Sequence, residues 1–390
     1  MVESIAAKAV QSLCILVLCI VLAAGLWPFH APRNEVAWLQ NRSGLRFGRH
    51  GTAYSNDVFH AVRVQDPECS LELLLQPDST DTEGTIIAFD SSADRSWPFA
   101  LHQHRHVLAM RRYIIDAKGV VSRPGLWLDD VFVTREQAFV ALTSKDRVTT
   151  VYVNGVPIAK SSSVGFVCKD LLGRLVLANS TVDDSWQGQI MGLAVYDRAL
   201  TLQQVAKHFT TWTLDKGRAL EGEEGQVALY LFNEGSGTVV HNRSSSGVDL
   251  DIPARYSVLH QVFLQPVWGQ QSYYSTRPWT RWSYWKDIAV NILGFIPLGF
   301  LFLAYFSIVK RIPRAATIVV VLGFAISLTI EVAQGFLPTR DSGMMDLLTN
   351  TFGTSLGVVL FRFSLQGGPV EKMFRSIQGI NANKRLAITG

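Results

Sequence analysis

Long apolar stretches of the chain predict four membrane-spanning helices. They cover residues 9–27, 288–309, 315–336 and 347–361. Because an α-helix rises about 1.5 Å per residue, about 20 residues are enough to cross a bilayer. Pro297 predicts a bend in the second helix. The fourth stretch is short and rich in glycine, threonine and asparagine, so we expect it to pack against other helices rather than face lipid.

The first apolar stretch has two interpretations. Lys8 followed by an apolar run is also a feature of signal peptides. The run is long for a signal peptide, and it ends at 26–29 in Leu-Trp-Pro-Phe rather than in the small residues of a cleavage site. We therefore favour a retained membrane anchor over a cleaved signal peptide.

Basic residues near the ends of the predicted helices indicate their orientation. They are Lys8, Lys310, Arg311, Arg314, Arg362, Lys372 and Arg375. With four crossings they all lie on one side of the membrane, which the positive-inside rule makes cytoplasmic. The chain is thus predicted to be a multi-pass membrane protein with residues 31–285 outside. Both termini, including a mobile tail at 364–390, are then cytoplasmic.

Residues 31–254 follow a different pattern, in which short alternating runs of apolar and polar residues are separated by turn residues. Such runs begin near Ser70, Gly84, Ala138, Thr150 and Arg174. They predict β-strands, and Asn154-Gly155 between two of them is a strong hairpin signal. We therefore predict an all-β sandwich or jelly roll of more than 200 residues in the exported region.

Composition supports a membrane protein and excludes two other classes. Hydrophobic residues make up 48% of the chain and charged residues 17%, which argues against intrinsic disorder. The net charge of +4 comes from 36 basic and 32 acidic residues. This balance gives no indication of a nucleic-acid partner.

The exported region resembles the LamG family of concanavalin A-like jelly rolls. The resemblance is carried by Trp38 with 43–48 (Ser-Gly-Leu-Arg-Phe-Gly), by 152–155 (Tyr-Val-Asn-Gly), by 173–180 (Gly-Arg-Leu-Val-Leu-Ala-Asn-Ser) and by 186–200, which begins Trp-Gln-Gly-Gln-Ile-Met-Gly. Residues 228–237 resemble a further LamG element, but one that usually lies near the start of such domains. The resemblance implies a module that binds carbohydrate or protein, often with calcium.

Candidate metal ligands in this region are two acidic pairs and three histidines. They are Asp129, Asp130, Asp183 and Asp184, and His102, His104 and His106. The carboxylates are hard oxygen ligands of the kind that calcium prefers, although adjacent acids are more typical of solvated turns. On one continuous strand the histidines would face the same side and could hold a transition metal. Their surroundings are more typical of a polar hairpin tip.

The four cysteines fall into two pairs. Cys14 and Cys19 lie in the first predicted helix, where we expect them only to pack. Cys69 and Cys168 lie in the exported region, where an oxidising compartment would permit a disulfide. Their pairing is a hypothesis that the sequence alone does not decide.

Residues 255–285 form a segment dense in aromatic side chains before the second predicted helix. These are Trp268, Tyr273, Tyr274, Trp279, Trp282, Tyr284 and Trp285. Trp and Tyr favour the headgroup level of a membrane, so we interpret the segment as an interfacial belt. The alternative is a sugar-stacking surface.

Polar side chains occur near one end of each of the last three predicted helices. They are Asp287 and Asn291, Glu331 and Gln334, and Asp346 and Asn350, with Arg340 in the loop between the last two helices. Each pair is three or four residues apart and so shares one helix face. All three pairs reach the outer end of the bundle, so we predict one polar pocket there, with Arg340 balancing part of the negative charge.

Glu331 is the strongest functional candidate of this set. Asp287 and Asp346 stand at predicted helix starts, where the helix dipole favours a negative charge without any further role. Glu331 instead lies near the C-terminal end of its helix among apolar residues. An ionisable group costs about 2–3 kcal/mol at the membrane centre and less near the boundary, so its presence indicates function.

The same residues carry a second resemblance, to the VanZ-like family of bacterial membrane proteins. It rests on Asp-Ile-Ala-Val-Asn at 287–291, Ile-Glu-Val-Ala-Gln at 330–334 and Asp-Leu-Leu-Thr-Asn at 346–350. It covers about 285–363; with the first helix, residues 286–363 would form a four-helix unit that the jelly roll interrupts. The resemblance implies a bacterial cytoplasmic (inner) membrane location and an association with glycopeptide (teicoplanin) resistance, but no settled reaction.

Two classes of function remain open. In the first, the jelly roll binds an exported glycan or protein while the helices contact membrane lipid. In the second, the chain is an enzyme that acts on a lipid-linked glycan precursor, with Glu331 as general acid and Asp346 or Asp287 as base. The chain contains no nucleophile motif, phosphate loop or His-Glu metal motif, so we favour binding. No cofactor is assigned, and calcium in the jelly roll stays open. A transporter is the least supported class.

Overall fold

A computed structural model describes residues 2–58, 68–91, 96–112, 114–115, 121–122, 124–166, 168–180, 185–244, 247–259, 263–267, 282–340 and 342–365. The chain packs into two compact units, one of residues 31–260 and one of residues 1–30 with 261–390. The helices are α1 (Val2–Leu26), α2 (Leu202–Leu214), α3 (Trp282–Ala304), α4 (Ala315–Gln334) and α5 (Met344–Ser364). A π-helical turn, Tyr305–Val309, continues α3.

The described strands all lie in the unit of residues 31–260. They are β1 (Val36–Trp38), β2 (Leu45–Phe47), β3 (Ala53–Ser55), β4 (Cys69–Pro77), β5 (Glu83–Ser91), β6 (Ser96–His104), β7 (Val107–Arg111), β8 (Ile114–Ile115), β9 (Val121–Ser122), β10 (Gly125–Leu128), β11 (Ala138–Lys145), β12 (Val148–Val153), β13 (Val156–Ser161), β14 (Arg174–Leu177), β15 (Gly188–Tyr196), β16 (Gln226–Tyr230), β17 (Val239–Val240) and β18 (Leu250–Asp251).

Two antiparallel sheets form a sandwich. The first has the order β1-β2-β15-β4-β11-β12-β13, with β16 also paired to β15, and the second has the order β10-β7-β6-β5-β14-β3-β18-β17. Alternate apolar side chains of both sheets meet in one core, among them Leu71 and Leu73 of the first and Phe89 and Phe99 of the second. The predicted all-β sandwich is confirmed.

The Asn154-Gly155 hairpin is present as predicted. Val153 of β12 pairs with Val156 of β13, and the two residues between them have φ angles of 50° and 79°. The tight turn that matches the twist of a hairpin requires positive φ at both positions. Asn and Gly adopt positive φ most readily.

Residues 228–237, the LamG element found near the wrong end of the sequence, nevertheless lie beside the first strands of the unit. The first half of β15 pairs with β2 and the second half pairs with β16. Gly44, just before β2, donates a backbone hydrogen bond of 2.8 Å to the carbonyl of Phe232, just after β16. Strands β2 and β16 therefore lie one after the other along the same edge of β15, although β16 comes late in the chain.

Helix α2, which the sequence analysis did not predict, covers the outer face of the first sheet. It begins with a capping box in which Thr201 and Gln204 each bond the other's backbone N–H. Val205 and Trp212 are buried in a second apolar cluster on this face. A Cβ atom on Gly192 of β15 would collide with the Trp212 ring, so glycine permits this close packing.

Among its described residues, the other unit contains four helices that are long and apolar enough to cross a membrane. These candidate spans are Ala7–Leu26, Trp282–Ser307, Ala315–Gln334 and Met344–Ser364. This confirms the prediction of a membrane protein with four spans. Helix α3 continues through Pro297.

Helices α3 and α5 approach closely because α5 carries two glycines four residues apart. A Cβ atom on Gly353 would collide with the carbonyl of Ile292, and one on Gly357 with the carbonyl of Ile296. This small-residue spacing lets helix backbones approach each other within a membrane. Of the four candidate spans α5 is the most buried, as its composition predicts.

Candidate functional site

The polar residues predicted from the last three helices meet at one end of the bundle. The Asn291 amide on α3 donates a hydrogen bond of 2.9 Å to Oδ1 of Asp346 on α5. One turn further along α5, the Asn350 amide donates 3.0 Å to the Ser327 hydroxyl of α4. These two bonds tie α5 to both of its neighbours and define a polar cluster.

Glu331, near the C-terminal end of α4, is only 1% exposed. Its Oε2 accepts a 2.8 Å hydrogen bond from the backbone N–H of Gly343, the residue that precedes α5. The charges of Asp346 and Arg340 are both close enough to act on the Glu331 carboxyl group. The glutamate thus joins the end of α4 to the start of α5 and shares the cluster with a second acid.

The end of α1 also reaches the cluster. The carbonyl of Gly25 accepts 2.7 Å from the Gln334 amide and 3.3 Å from the Arg340 guanidinium. The last carbonyls of a helix have no partner within that helix, so these donors satisfy one of them. Arg340 therefore has a second partner besides the negative charge that the sequence analysis assigned to it.

Two oxygen atoms in the cluster have no hydrogen-bond partner among the described residues. They are Oε1 of Gln334 and Oδ1 of Asn350, on side chains that belong to residues only 4% exposed. Buried polar atoms are nearly always bonded, so each is a position where a ligand donor would be favourable. With the carboxylates of Glu331 and Asp346, the cluster offers mainly acceptors. It suits a group that brings hydroxyl or ammonium donors.

Asp287 differs from the other residues of the predicted pocket. Helix α3 begins at Trp282, so Asp287 lies beyond the first turn rather than at the helix start. Its side chain is exposed, and it forms no hydrogen bond or ion pair with another residue in the described ranges. Each of the other six predicted residues takes part in at least one of the bonds above.

In the sandwich, the edge strand β10 of the second sheet carries an exposed tryptophan. Trp127 of β10 pairs with Ala109 of β7, which is fully buried. The Trp127 ring is 46% exposed, and the Arg111 guanidinium lies 4.8 Å from its centre. An exposed aromatic ring is suited to stack on a sugar ring. Trp127 is not among the residues singled out from the sequence.

The three alternating histidines do not converge on one point. His102 is buried and lies 2.9 Å from the Thr85 hydroxyl, while His104 lies 3.3 Å from Glu83. His106 belongs to the turn after β6, 4.0 Å from Asp130. The hairpin-tip interpretation is therefore the correct one. Burial, with a smaller effect of a nearby arginine, lowers the pKa of His102 well below its usual value.

The acidic pairs lie apart from any cluster of metal ligands in the described residues. Asp129 and Asp130 are exposed, whereas Asp183 and Asp184 lie outside the part of the chain that the structure describes. Within that part, no group of three or more His, Cys, Asp or Glu side chains is placed to hold a metal ion. Calcium binding stays an expectation.

Cys69 and Cys168 are buried, free thiols that lie in hydrogen-bonding contact. The Cys168 Sγ also donates 2.8 Å to the carbonyl of Glu68. Burial, then the hydrogen bond that the Cys69 thiol makes with Cys168, raises the pKa of Cys69. The two side chains are thus neighbours, and their pairing stays a prediction.

A buried charged network under α2 escaped the sequence analysis. Glu72 of β4 is fully buried and accepts 2.8 Å from Nδ1 of His208 and 3.0 Å from Nε1 of Trp212. The other ring nitrogen of His208 lies 2.8 Å from a carboxylate oxygen of Glu223. Burial alone would lower the pKa of His208, but the bond to Glu72 and both negative charges raise it overall. A charged residue inside the apolar strand run at 70–75 was the available signal.

The aromatic segment before α3 is described only in part. Trp268, Tyr273, Tyr274 and Trp279 lie outside the described residues. In the first turn of α3, Trp282 is 81% exposed and Trp285 is 53% exposed. Tyr284 packs edge-on against Trp285. This exposure fits the predicted interfacial belt, which stays a prediction.

Two family models match the chain. Residues 228–365 match the VanZ/LLP1 family, and residues 50–206 match the concanavalin A-like lectin/glucanases superfamily. Protein VanZ from Enterococcus faecium is 29% identical over 100 residues, which are 26% of this chain. The match spans only 59% of that relative's length. Both resemblances inferred from motifs are confirmed.

The solved structures similar to the chain include a proposed carbohydrate-binding protein and a pentraxin. A proposed carbohydrate-binding protein from Bacteroides ovatus is 16% identical and aligns with a TM-score of 0.36, covering 56% of this chain and 61% of that one. A heptameric SAP-like pentraxin from Limulus polyphemus is 17% identical, with a TM-score of 0.34 and coverage of 59% and 96%. These likenesses are too distant to support any argument about a ligand.

Proposed function

We propose that this chain is a bacterial envelope membrane protein that binds a membrane-attached glycan. In this proposal the sandwich and the polar cluster of the helices are two separate sites, the first for a saccharide and the second for hydroxyl or amine donors close to the membrane. The observation that carries the proposal is the pair of buried amide oxygens without partners, on Gln334 and Asn350, beside two carboxylates. Sugars carry many hydroxyl donors, which such acceptors suit.

The position of the cluster supports a ligand at the membrane boundary. Glu331 is three residues from the last residue of α4, and Asp346 is in the first turn of α5. Buried polar groups in a membrane are costly unless they are paired. A bound donor group would satisfy the free oxygens and thereby offset part of that cost.

The sandwich supports the glycan part of the proposal through Trp127. Its exposed ring offers a face for stacking on one sugar ring. Each stacked ring is expected to contribute about 1 kcal/mol beyond area burial. A protein ligand is the alternative occupant of this surface.

The proposed location places both sites outside the cytoplasm. The basic residues that flank the candidate spans favour cytoplasmic termini, with Lys310, Arg311 and Arg314 between α3 and α4. The sandwich and the polar cluster then lie at the outer side of the cytoplasmic membrane.

Glycan binding by the full chain in nanodiscs tests the proposal. We expect Glu331→Gln and Asp346→Asn to weaken binding to an immobilised glycan array at least about tenfold, since each removes a charged acceptor. Asp287→Asn is the matched control, because it makes the same chemical change on an exposed residue outside the bonds of the cluster. If all three variants bind like the unmodified protein, the cluster is not a ligand site.

Trp127→Ala tests the sandwich separately. We expect it to lower the affinity of the full chain for the same glycan about tenfold, through the loss of ring stacking and apolar contact area. Val156→Ala, at a residue that is 60% exposed in the same unit, should bind normally. Equal affinity of both variants would exclude Trp127 from the binding surface and favour a protein ligand.

An enzyme is the second candidate, because the charge of Asp346 acts on Glu331 within one cluster. Such a carboxylate pair is able to divide acid and base roles. In that case Glu331→Gln would abolish turnover of a lipid-linked glycan precursor, measured by mass spectrometry, while binding is retained. Turnover that survives in Glu331→Gln would remove this candidate.

Glycopeptide resistance is the cellular role that the VanZ resemblance suggests. We expect expression of the chain in a susceptible bacterium to reduce teicoplanin susceptibility, and Glu331→Gln to abolish the effect at an equal protein level. Unchanged susceptibility with the unmodified chain would separate this protein from that role.

A further inference from the structure

The end of the helix bundle opposite the polar cluster contains a cavity of about 430 Å³. It lies between the end of α3 with its π-helical turn, the start of α4 and the end of α5. Its wall combines apolar side chains with three arginines: Leu303, Ile312, Phe361 and Leu365, and Arg311, Arg314 and Arg362. It shares no residue with the polar cluster.

Within the described residues, no ion pair balances the positive charge of this cavity. None of the three arginines forms an ion pair with another residue of the described ranges, and no carboxylate is among the residues that line the cavity. Three guanidinium groups around one space repel one another, and an anion between them would relieve that repulsion. Guanidinium groups also match the geometry of phosphate through paired hydrogen bonds.

The backbone at the cavity adds to its attraction for an anion. Ala315 and Ala316, the first two residues of α4, line the wall. Arg314 precedes them in a left-handed conformation with φ 58° and makes no side-chain capping bond to the helix. The first N–H groups of this 20-residue helix are therefore not capped by that side chain, and helix starts favour negative ligands.

We propose that this cavity binds the phosphate group of an anionic lipid. Phosphate is the chemistry that three arginines and a helix start recognise together. The lipid source follows from the location of the cavity: Leu303 and Phe361 belong to candidate membrane-spanning helices, and Leu365 follows the last of them. Basic pockets between helices near the cytoplasmic surface are suited to such headgroups. The site is independent of the proposed glycan function.

Binding of short-chain lipids to the purified full chain in detergent tests the proposal, with three probes compared. The probes are dioctanoyl phosphatidic acid, dioctanoyl phosphatidylcholine and inorganic phosphate. We expect phosphatidic acid to bind at least about tenfold more tightly than either of the others, since only it combines an accessible anionic phosphate with acyl chains.

Substitutions then locate the site. Arg314→Gln and Arg362→Gln should each weaken phosphatidic acid binding about tenfold or more, through the loss of a charge-assisted hydrogen bond. Lys310→Gln is the matched control, because it removes one positive charge from the same loop but from a residue that does not line the cavity. Should a glutamine variant fail to fold, Arg314→Lys keeps the charge and is expected to weaken binding only a few-fold.

Three other outcomes would contradict the proposal. Equal weakening by Lys310→Gln and Arg314→Gln would mean that general positive charge, and not this cavity, attracts the lipid. Inorganic phosphate that binds as tightly as phosphatidic acid would assign the cavity to a free anion. Phosphatidylcholine that binds as tightly as phosphatidic acid would show that the cavity does not recognise an anionic headgroup.

Discussion

The network under α2 gives a prediction whose magnitude follows from the structure. Glu72→Gln replaces a carboxylate that accepts from both His208 and Trp212 by an amide with a single oxygen. One buried donor then loses its partner, which costs about 2–3 kcal/mol when a charged group is involved. This corresponds to an increase of roughly 30- to 150-fold in the local opening equilibrium of α2.

Amide hydrogen exchange of α2 peptides in the full chain measures this opening directly. The matched control is Glu223→Gln, since Glu223 contacts the other side of the same histidine but has a side chain that is 20% exposed. We expect the control to accelerate exchange only about fivefold, because solvent screens its charge. Equal acceleration by the two variants, or none by Glu72→Gln, would refute the account of a buried charge held by two donors.

The same network predicts a direction for pH dependence. The pKa of His208 is raised in the folded protein, by Glu72 and Glu223 against the opposing effect of burial. Its stabilising contribution is therefore fully present below the unfolded value of about 6.5 and is lost as pH rises through the higher folded value. The protection of α2 amides from hydrogen exchange, corrected for the intrinsic exchange rate, should therefore fall as pH rises through this range. A rise in protection there would contradict the charged state of His208.

Three further predictions concern other parts of the chain. Gly357→Ala should lower the melting temperature of the membrane unit by several degrees, because the added Cβ collides with the backbone of α3, whereas Gly294→Ala meets open space and should not. Peptide mapping without reductant should find Cys69 linked to Cys168 in exported protein, and free alkylation of both would reject the pair. Trp285→Ala should weaken the membrane-interface anchoring of α3, seen as a loss of Trp-lipid quenching; unchanged quenching would exclude Trp285 from the belt.

The overall division of the chain could be predicted because its two units use different periodicities. Uninterrupted apolar runs gave the four spans, and period-two alternation gave the strands, including the hairpin at Asn154-Gly155. Helix boundaries were less accurate: α3 begins at Trp282 rather than at residue 288. Aromatic and charged residues at an interface have no apolar signature, so a helix that begins among them is difficult to detect.

The polar cluster could be predicted in part, because helical spacing places residues on a face without specifying their partners. The sequence grouped Asn291 with Asp287, but its bond is to Asp346 on another helix. Ser327 was missed because a lone serine in an apolar helix is an ordinary residue. Pairs between helices depend on packing, here on the close approach that Gly353 and Gly357 permit.

Helix α2 and the cavity lined by arginines could be recognised only from the tertiary structure. The capping pair Thr201 and Gln204 was visible in the sequence, but the surrounding strand pattern concealed a helix of 13 residues. From the sequence, the arginines indicated only the orientation of the helices in the membrane. Only the positions of three helix ends bring Arg314 and Arg362 to one cavity.

We predict that four crossings place the sandwich and the polar cluster on the outer side of the membrane, with the loop between α3 and α4 inside. Labelling of single added cysteines in spheroplasts with a membrane-impermeant maleimide tests it most directly. Val156→Cys, in the sandwich, should react in intact spheroplasts, and Lys310→Cys, in the loop, only after permeabilisation. Reaction of Lys310→Cys without permeabilisation, or protection of Val156→Cys, would contradict the account.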